Sequence, residues 1–213
     1  MHSKRYHRFA YPYQRMTLQS SGRLLFVRSL LRNPSAVGAL APSSPRVSKL
    51  VASSVNGDTS SVLEIGAGTG SITGALLEHG VEPDRLFLIE RDPSLVAYLR
   101  DRFPGVRVRC GDAVHASHIL SNESVGTVKT VVSSMPICNL STPDKIATVR
   151  AILKALAPGG QLLQLTYAAT CPIPIRRLGL QAERVGRVWM NLPPAYVWRF
   201  TRISSPSARV NGK

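Results

Sequence analysis

Glu64, Gly66, Gly68 and Gly70 lie in the run Ser-Ser-Val-Leu-Glu-Ile-Gly-Ala-Gly-Thr-Gly, and their spacing limits the chemistry the chain can do. Residues 62–65 read as a short buried parallel strand, and a helical pattern begins at Ser71. Glycines between a strand and a helix let the chain turn sharply and let a ligand meet backbone with no Cβ in the way. A dinucleotide fingerprint would want its third glycine at position 71, where Ser71 stands. Glu64, two residues ahead of the first glycine, is a poor neighbour for a pyrophosphate and a good one for an ammonium group. An acid with alternate glycines therefore points to a nucleoside carrying positive charge, S-adenosylmethionine above all. The bland alternative is a glycine-rich turn in some other α/β domain.

Further polar residues recur where strands are expected to end. Glu90 closes the strand at 86–89, 24 residues past Gly66, where a carboxylate can take both ribose hydroxyls; Arg91 follows at the same tip. Asp112, between Gly111 and Ala113, follows a strand at 106–109 and is placed to accept from an adenine amine; a plain Gly-Asp turn is the alternative. A fourth strand at 129–133 ends on Ser133 and runs into Ser134-Met135-Pro136-Ile137, the expected wall beside the transferred group. Tyr167 ends a fifth strand at 161–167. His115 and His118 are three apart without a third ligand, so no metal is expected.

These residues need a frame, and the chain supplies alternating strands and helices, the pattern of a parallel sheet covered on both faces. Helices are expected at 71–79, from Asp92-Pro93 to 102, and from Ser141 or Thr142 until Pro158-Gly159-Gly160. Two more strands, 185–190 and 196–202, flank Pro193-Pro194, making seven in all. Ahead of the glycine loop, Pro42, Ser43 and Ser44 precede a helix to 55 that Asn56-Gly57 would end. Its free N–H groups could face a carboxylate such as that of a methionine moiety.

The charge is uneven. Of a net +15, residues 1–57 hold nine Lys/Arg and no acid, residues 58–170 ten basic and eleven acidic residues, and 171–213 eight basic and one acidic. A near-neutral middle with basic ends implies a polyanionic partner, nucleic acid or an acidic membrane face. The expected division is a basic, aromatic-rich arm at 1–22, N-terminal helices at 23–57, the main domain at 58–203 and a loose tail at 204–213. In the second segment Leu24, Phe26, Val27, Leu30 and Leu31 share one helical face beside Arg23, Arg28 and Arg32. That face suits a membrane interface or ordinary packing on the domain. An arginine-rich, acid-free start is also compatible with a transit peptide. No run of 18 apolar residues occurs, and Cys110, Cys138 and Cys171 lie far apart, as reduced thiols in a cytosolic protein would.

With loop, ribose acid, adenine acid and strand-end segment in order, the chain resembles the class I S-adenosylmethionine-dependent methyltransferases. It is similar in particular to the bacterial phospholipid (phosphatidylethanolamine) N-methyltransferases, and more distantly to rRNA adenine dimethyltransferases. The closer likeness rests on Phe26-Val27-Arg28, Arg32-Asn33-Pro34, Val37-Gly38-Ala39, Ala41-Pro42-Ser43-Ser44, Gln164-Leu165-Thr166-Tyr167, and Val188-Trp189-Met190-Asn191-Leu192-Pro193-Pro194-Ala195 with Val197-Trp198-Arg199. It implies a Rossmann-like fold and S-adenosylmethionine as cofactor. It also implies methylation of phosphatidylethanolamine, in up to three rounds, to phosphatidylcholine. An amphipathic N-terminal helix would hold the enzyme, cytoplasmic and peripheral, on the inner face of the cell membrane. The arm at 1–22 has no counterpart in that family, and a nucleic-acid contact through it stays open.

One residue-level contrast separates the two branches. The rRNA enzymes carry Asn or Asp ahead of Pro and an aromatic after it, to bind and stack the extruded adenine. Ser134 and Ile137 hold those slots here, so a stacking platform worth about 1–3 kcal/mol is missing. A lipid amine needs none, and the aliphatic set Met135, Ile137 and Leu140 suits a greasy entry, with Pro136 among the candidate substrate contacts. The amine must react neutral, which from a pKa near 10 costs about 4 kcal/mol at pH 7. Ser134 and Tyr167 are candidates to orient it, although Tyr167 equally suits a buried sheet position. Arg176, Arg177 and Arg187 are candidates for the lipid phosphate or for general attraction to an anionic surface. Three classes remain: lipid N-methyltransferase, RNA adenine N6-methyltransferase, and a non-catalytic relative.

Overall fold

The computed structural model describes residues 43–55, 61–190 and 193–203. The arm 1–22, the face of Leu24, Phe26, Val27, Leu30 and Leu31, Pro42, the helix stop at Asn56-Gly57, Asn191-Leu192 and the tail from 204 lie outside them.

Seven strands form one sheet: β1 (Val62–Ile65), β2 (Leu86–Glu90), β3 (Arg107–Cys110), β4 (Val128–Ser133), β5 (Leu156–Thr166), β6 (Leu180–Val188) and β7 (Ala195–Arg202), in the spatial order 3-2-1-4-5-7-6. The first five are parallel; β7 runs antiparallel to β5, and β6 antiparallel to β7. Period-two alternation sends Val62, Leu88, Val132 and Leu163 to one face. There they meet α1 (Pro45–Ser53), α2 (Ser71–Glu78) and α3 (Pro93–Arg102). Leu63, Phe87, Val131 and Leu162 point the other way, onto α4 (Ala116–Asn122), α5 (Thr142–Ala155) and the short α6 (Ile175–Leu178). The caps are local: Ser44, Asp92 and Ser141 each accept a backbone N–H in the first turn of their helix, and a proline opens each of the three.

Two expectations needed correction. Pro158-Gly159-Gly160 does not terminate a helix, because α5 stops at Ala155 and β5 has already begun. Leu156 pairs with Val128 and Gln161 with Thr130, so the Pro-Gly-Gly turn bulges out of the ladder. A Cβ on Gly160 would lie 2.8 Å from the Lys129 carbonyl, which is why the bulge can close. β6 starts at Leu180, five residues before the expected 185, and a register shift between Arg184 and Gly186 divides it.

α1 runs against the sheet. Arg46 at its start meets Met190 beyond the carboxyl end of β6, while the Ser54 carbonyl just past its end accepts from Gln161 Nε2, 3.2 Å away. Its N-terminus therefore lies at the end of the sheet where the parallel strands finish.

The bend after β1 is fixed by sterics. Gly70 has φ +76°, and a Cβ there would sit 2.3 Å from Phe103 Cε2 and 2.9 Å from Leu99 Cδ2, both buried on the α3 side. Gly68 has φ +57° and open space where a Cβ would point. Gly68→Ala is expected to cost only the left-handed strain, about 1–2 kcal/mol. Gly70→Ala adds overpacking, for a total of roughly 2–5 kcal/mol. Urea unfolding midpoints of the two variants check this order.

Candidate active site

The carboxyl ends of β1, β2 and β4 meet around the glycine bend. Glu64 is fully buried on β1, between Leu88 of β2 and Val132 of β4. Its Oε2 accepts from Thr73 Oγ1 of α2 at 2.7 Å, and its Oε1 is buried without a hydrogen-bond partner among the described residues. Burial pushes its pKa up to about 8, offset in part by the lowering effect of the Thr73 hydroxyl, with the charge of Glu90 adding a lesser upward push. A buried acceptor in that state lacks a positively charged or N–H-bearing neighbour.

Glu90 ends β2 with both oxygens engaged. Oε2 accepts from the Gly68 N–H at 2.9 Å, and Oε1 accepts from the amides of Arg91 (2.7 Å) and Asp92 (3.0 Å). The expected ribose acid is thus also the clasp of the glycine loop. Arg102 closes the other side, donating from Nη1 to the Thr69 carbonyl at 2.8 Å with its guanidinium over the Phe103 ring. Asp112 caps the single turn that holds buried Ala113, accepting from the Val114 N–H. Its Oδ2 stands 3.9 Å from Arg91 Nη1, and both side chains are substantially exposed. Gly111 joins the edge through its N–H to the Glu90 carbonyl, and a Cβ there would strike Ile119 at 2.6 Å.

Across the bend, the backbone turns with β4. The Ser134 N–H donates to the Ile65 carbonyl, and a Cβ on Gly66 would touch the Met135 amide at 3.4 Å. Ser133 pairs with Gln164 of β5, and Ser133 Oγ and Gln164 Oε1 are both buried without partners. The Gln164 amide nitrogen donates to the Met135 carbonyl at 2.9 Å, holding the strand-end segment in place. Met135 and Pro136 are half-buried at the rim. Ile137 is 1% exposed and belongs to the core with Val149 and Ile152, so it underlies the mouth instead of lining it. Tyr167 follows β5 half-buried, packed on the α1 side of the core. Ser43 and Ser44 lie at the α1 N-terminus, where the Ser44 hydroxyl accepts from the Val47 amide at 3.4 Å.

The three arginines do not converge. Arg187 is one residue from the end of β6 at the glycine-loop end of the sheet, because Val188 pairs with Ala195 and Tyr196 with Thr166. Arg176 and Arg177 ride on α6, which feeds the opposite end, where Leu180 pairs with Arg202. Eight steps of strand at roughly 3.3 Å each put about 26 Å between the ends of β6. Arg176 and Arg177 are therefore not part of this site. Thr73, Arg102 and Gln164 are the residues the site adds. Gln164 had a signal in the sequence, an amide flanked by leucines in the apolar end of its strand; Thr73 and Arg102 had none, since only the fold brings them back to the loop.

A sulfonium nucleoside fits this donor set on two observations: the orphaned Glu64 Oε1, and the space over Gly68 that any side chain would fill. The comparisons with known proteins agree. A family model described as a methyltransferase domain matches residues 62–160. The ornithine lipid N-methyltransferase of Singulisphaera acidiphila is 32% identical over 147 residues, 67% of this chain and 76% of the relative. The probable ribosomal RNA small subunit methyltransferase A of Natronomonas pharaonis is 52% identical over 46 residues, 22% of this chain and 16% of that relative. Among solved structures, a TehB-like SAM-dependent methyltransferase from Corynebacterium glutamicum superposes with a TM-score of 0.58 at 20% identity, over 87% of this chain and all of that one. The magnesium protoporphyrin IX methyltransferase of Synechocystis, with bound SAM, gives 0.55 at 13%, over 88% and 85%. Both share the fold with this protein. Since the lipid enzyme is matched along most of its length and the seven-stranded sheet is shared as well, the chain belongs to the class I S-adenosylmethionine-dependent methyltransferases.

Proposed function

We propose that this methyltransferase modifies the primary amine of an aminolipid at a membrane face, with phosphatidylethanolamine and its mono- and dimethyl forms as substrates and phosphatidylcholine as final product. The observation that carries the reading is the segment after β4. Ser134-Met135-Pro136-Ile137 presents no ring on which a flipped base could stack, and the one residue in the aromatic slot is sunk in the core. The lipid N-methyltransferase relative supports it, being matched over 147 residues. RNA adenine methylation is the second reading, and it draws on the shorter 46-residue match.

In this proposal the bend from Gly66 to Gly70 receives S-adenosylmethionine, which when bound supplies an activated methyl group. Glu64 faces its ammonium, Glu90 the ribose, and Asp112 with Arg91 the adenine edge. The free N–H groups of α1, next to Ser43 and Ser44, face its carboxylate. Ser134 and Tyr167, at the ends of β4 and β5, orient the neutral lipid amine. Gln164 acts behind them by fixing the Met135 carbonyl. Placement and exclusion of water do most of the work, since no strong base is needed once the amine arrives neutral.

Glu64 gives this scheme a pH signature. Its pKa is raised in the folded state, so the unfolded chain releases that proton at lower pH. Its contribution to stability is complete below the unfolded value of 4.5 and is lost as pH rises through about 8, at ~1.4 kcal/mol per unit in that window. Without cofactor, Glu64→Gln should match wild type in thermal melts near pH 5 and exceed it near pH 8.5. S-adenosylmethionine should bind wild type with proton release at pH 7, visible by calorimetry in two buffers, and bind the variant weakly with none. Equal pH slopes for the two proteins would overturn the raised pKa, and unchanged cofactor affinity in the variant would remove Glu64 from the site.

The substrate is settled by offering methyl-labelled S-adenosylmethionine with phosphatidylethanolamine/phosphatidylglycerol vesicles, with ornithine lipid in phosphatidylglycerol vesicles, and with structured RNA. Label in the phosphatidylethanolamine products on thin-layer plates is the expected outcome. Label in ornithine lipid alone would reassign the amine, and label in RNA alone would overturn the lipid reading.

A further inference from the structure

Just past β6, where the chain turns toward β7, Trp189 and Met190 place large apolar side chains in solvent at the end of the sheet that carries the glycine bend. Trp189 is 61% and Met190 78% exposed, the two most exposed of the four large hydrophobic residues that stand out among the described residues. The turn lies at the sheet end that carries the glycine bend, because Thr166 pairs with Tyr196 and Val188 with Ala195. Exposed apolar side chains grouped at one tip mark a contact surface.

The surroundings of the tip identify its partner. The Arg187 guanidinium lies 4.0 Å from the centroid of the Trp189 ring, Arg46 of α1 meets the Met190 sulfur, and Arg184 sits 6.0 Å from the Trp198 ring centroid. Rings and thioethers neutralise none of this charge. From 184 to 190, from 193 to 198 and along α1 there is no Asp or Glu, while Arg46, Lys49, Arg184 and Arg187 are all exposed. Glu183, the nearest acid along β6, is engaged by Arg199 at 2.8 Å. An indole and a thioether ringed by guanidinium groups match a bilayer interface. The apolar parts reach the headgroup–acyl boundary, and the cations stay at the level of anionic headgroups.

We infer that Trp189 and Met190, just past the end of β6, form a membrane-docking element for anionic bilayers, entering the interface beside Arg187 and Arg46, with Arg184 farther back along β6. It rests on the lipid reading for its purpose but not for its test. The docked tip would press the open end of the sheet against the membrane, so that a lipid amine could reach Ser134 and Tyr167 without leaving the bilayer.

The sequence contains two tryptophans, Trp189 and Trp198. Trp198→Phe leaves the tip as the sole indole, and the Trp198 Nε1 has no hydrogen-bond partner among the described residues to lose. The full chain carrying Trp198→Phe is mixed with phosphatidylglycerol-containing vesicles, with pure phosphatidylcholine vesicles and with RNA. The expected result is a blue shift of Trp189 emission and quenching by shallow spin-labelled lipid, in the anionic vesicles and attenuated by salt. The double variant Trp189→Ser/Met190→Ser should lower partitioning into those vesicles by roughly tenfold or more. Should Trp198→Phe fold poorly, the wild-type spectrum minus that of Trp189→Phe reports the same residue. Three outcomes overturn the inference: co-sedimentation with unchanged Trp189 emission, emission already blue and shielded before vesicles are added, or a response to RNA alone. Docking without methyl transfer to any lipid would leave this element standing and sink the substrate assignment, so the two failures are distinguishable.

Discussion

The chain must leave β1 through three left-handed glycines in five residues, and the rest of the site is built to hold that bend open. Left-handed backbone at Gly66, Gly68 and Gly70 is tolerated because none of them has a Cβ. Two of the three are closed in by neighbours, Gly66 by Met135 and Gly70 by Phe103 and Leu99. Gly68 alone looks into space, with its N–H held by Glu90 and the next carbonyl held by Arg102. Among the described residues the loop is thus gripped from α3 and β2 and left open on its outer side. That is the arrangement of a preformed cradle, in which little ordering entropy remains to be lost on binding.

Charge is divided along the same edge of the sheet. Glu64, Glu90 and Asp112 gather toward the ends of β1, β2 and β3, with Arg91 as the cation beside Asp112, while Arg46 and Arg187 stand near the end of β6 and Arg184 four residues before it. The sheet order puts β4, β5 and β7 between the two groups. Under the proposed reading, the acidic half suits a cationic nucleoside and the basic half an anionic surface. The neutral strip between them, with Ser134 and Tyr167, is where transfer would occur. A single mixed patch would attract both partners to the same place; separation lets each hold its own ground.

Much of this was legible in the chain because it depends on local signals. The strand–glycine–helix unit, the proline-opened helices with their caps and the acids at strand tips are each written within a few residues. What could not be read has a common physical cause. The start of β6 was hidden because the bulge at Val185 breaks the period-two alternation, so the stretch 180–184 and the stretch 186–188 are out of phase. Pro158-Gly159-Gly160 has the composition of a helix stop, and only a close approach to the Lys129 carbonyl turns it into a bulge inside β5. Arg176 and Arg177 were grouped with Arg187 on chemistry alone, whereas the direction of β6 sends them to opposite ends. Thr73 and Arg102 are contacts of tertiary structure from the outset.

α1 joins the two halves mechanically. It packs beside α2 on the core face under Glu64, and it also lies on β6, where the Leu50 side chain stands 3.0 Å from the position a Cβ on Gly186 would take. Gly186 is thus the point at which helix and outer hairpin close on each other, and the adjoining register shift is what lets β6 bend toward the helix. Because buried interiors pack at crystal-like density, a helix wedged between α2 and β6 transmits position with little slack. The tip bearing Trp189 and the bend bearing Gly68 then belong to one stiff body. Under the proposed reading, a surface held by the first would be presented to the second at a fixed height, the condition for methylating an amine that stays in its membrane.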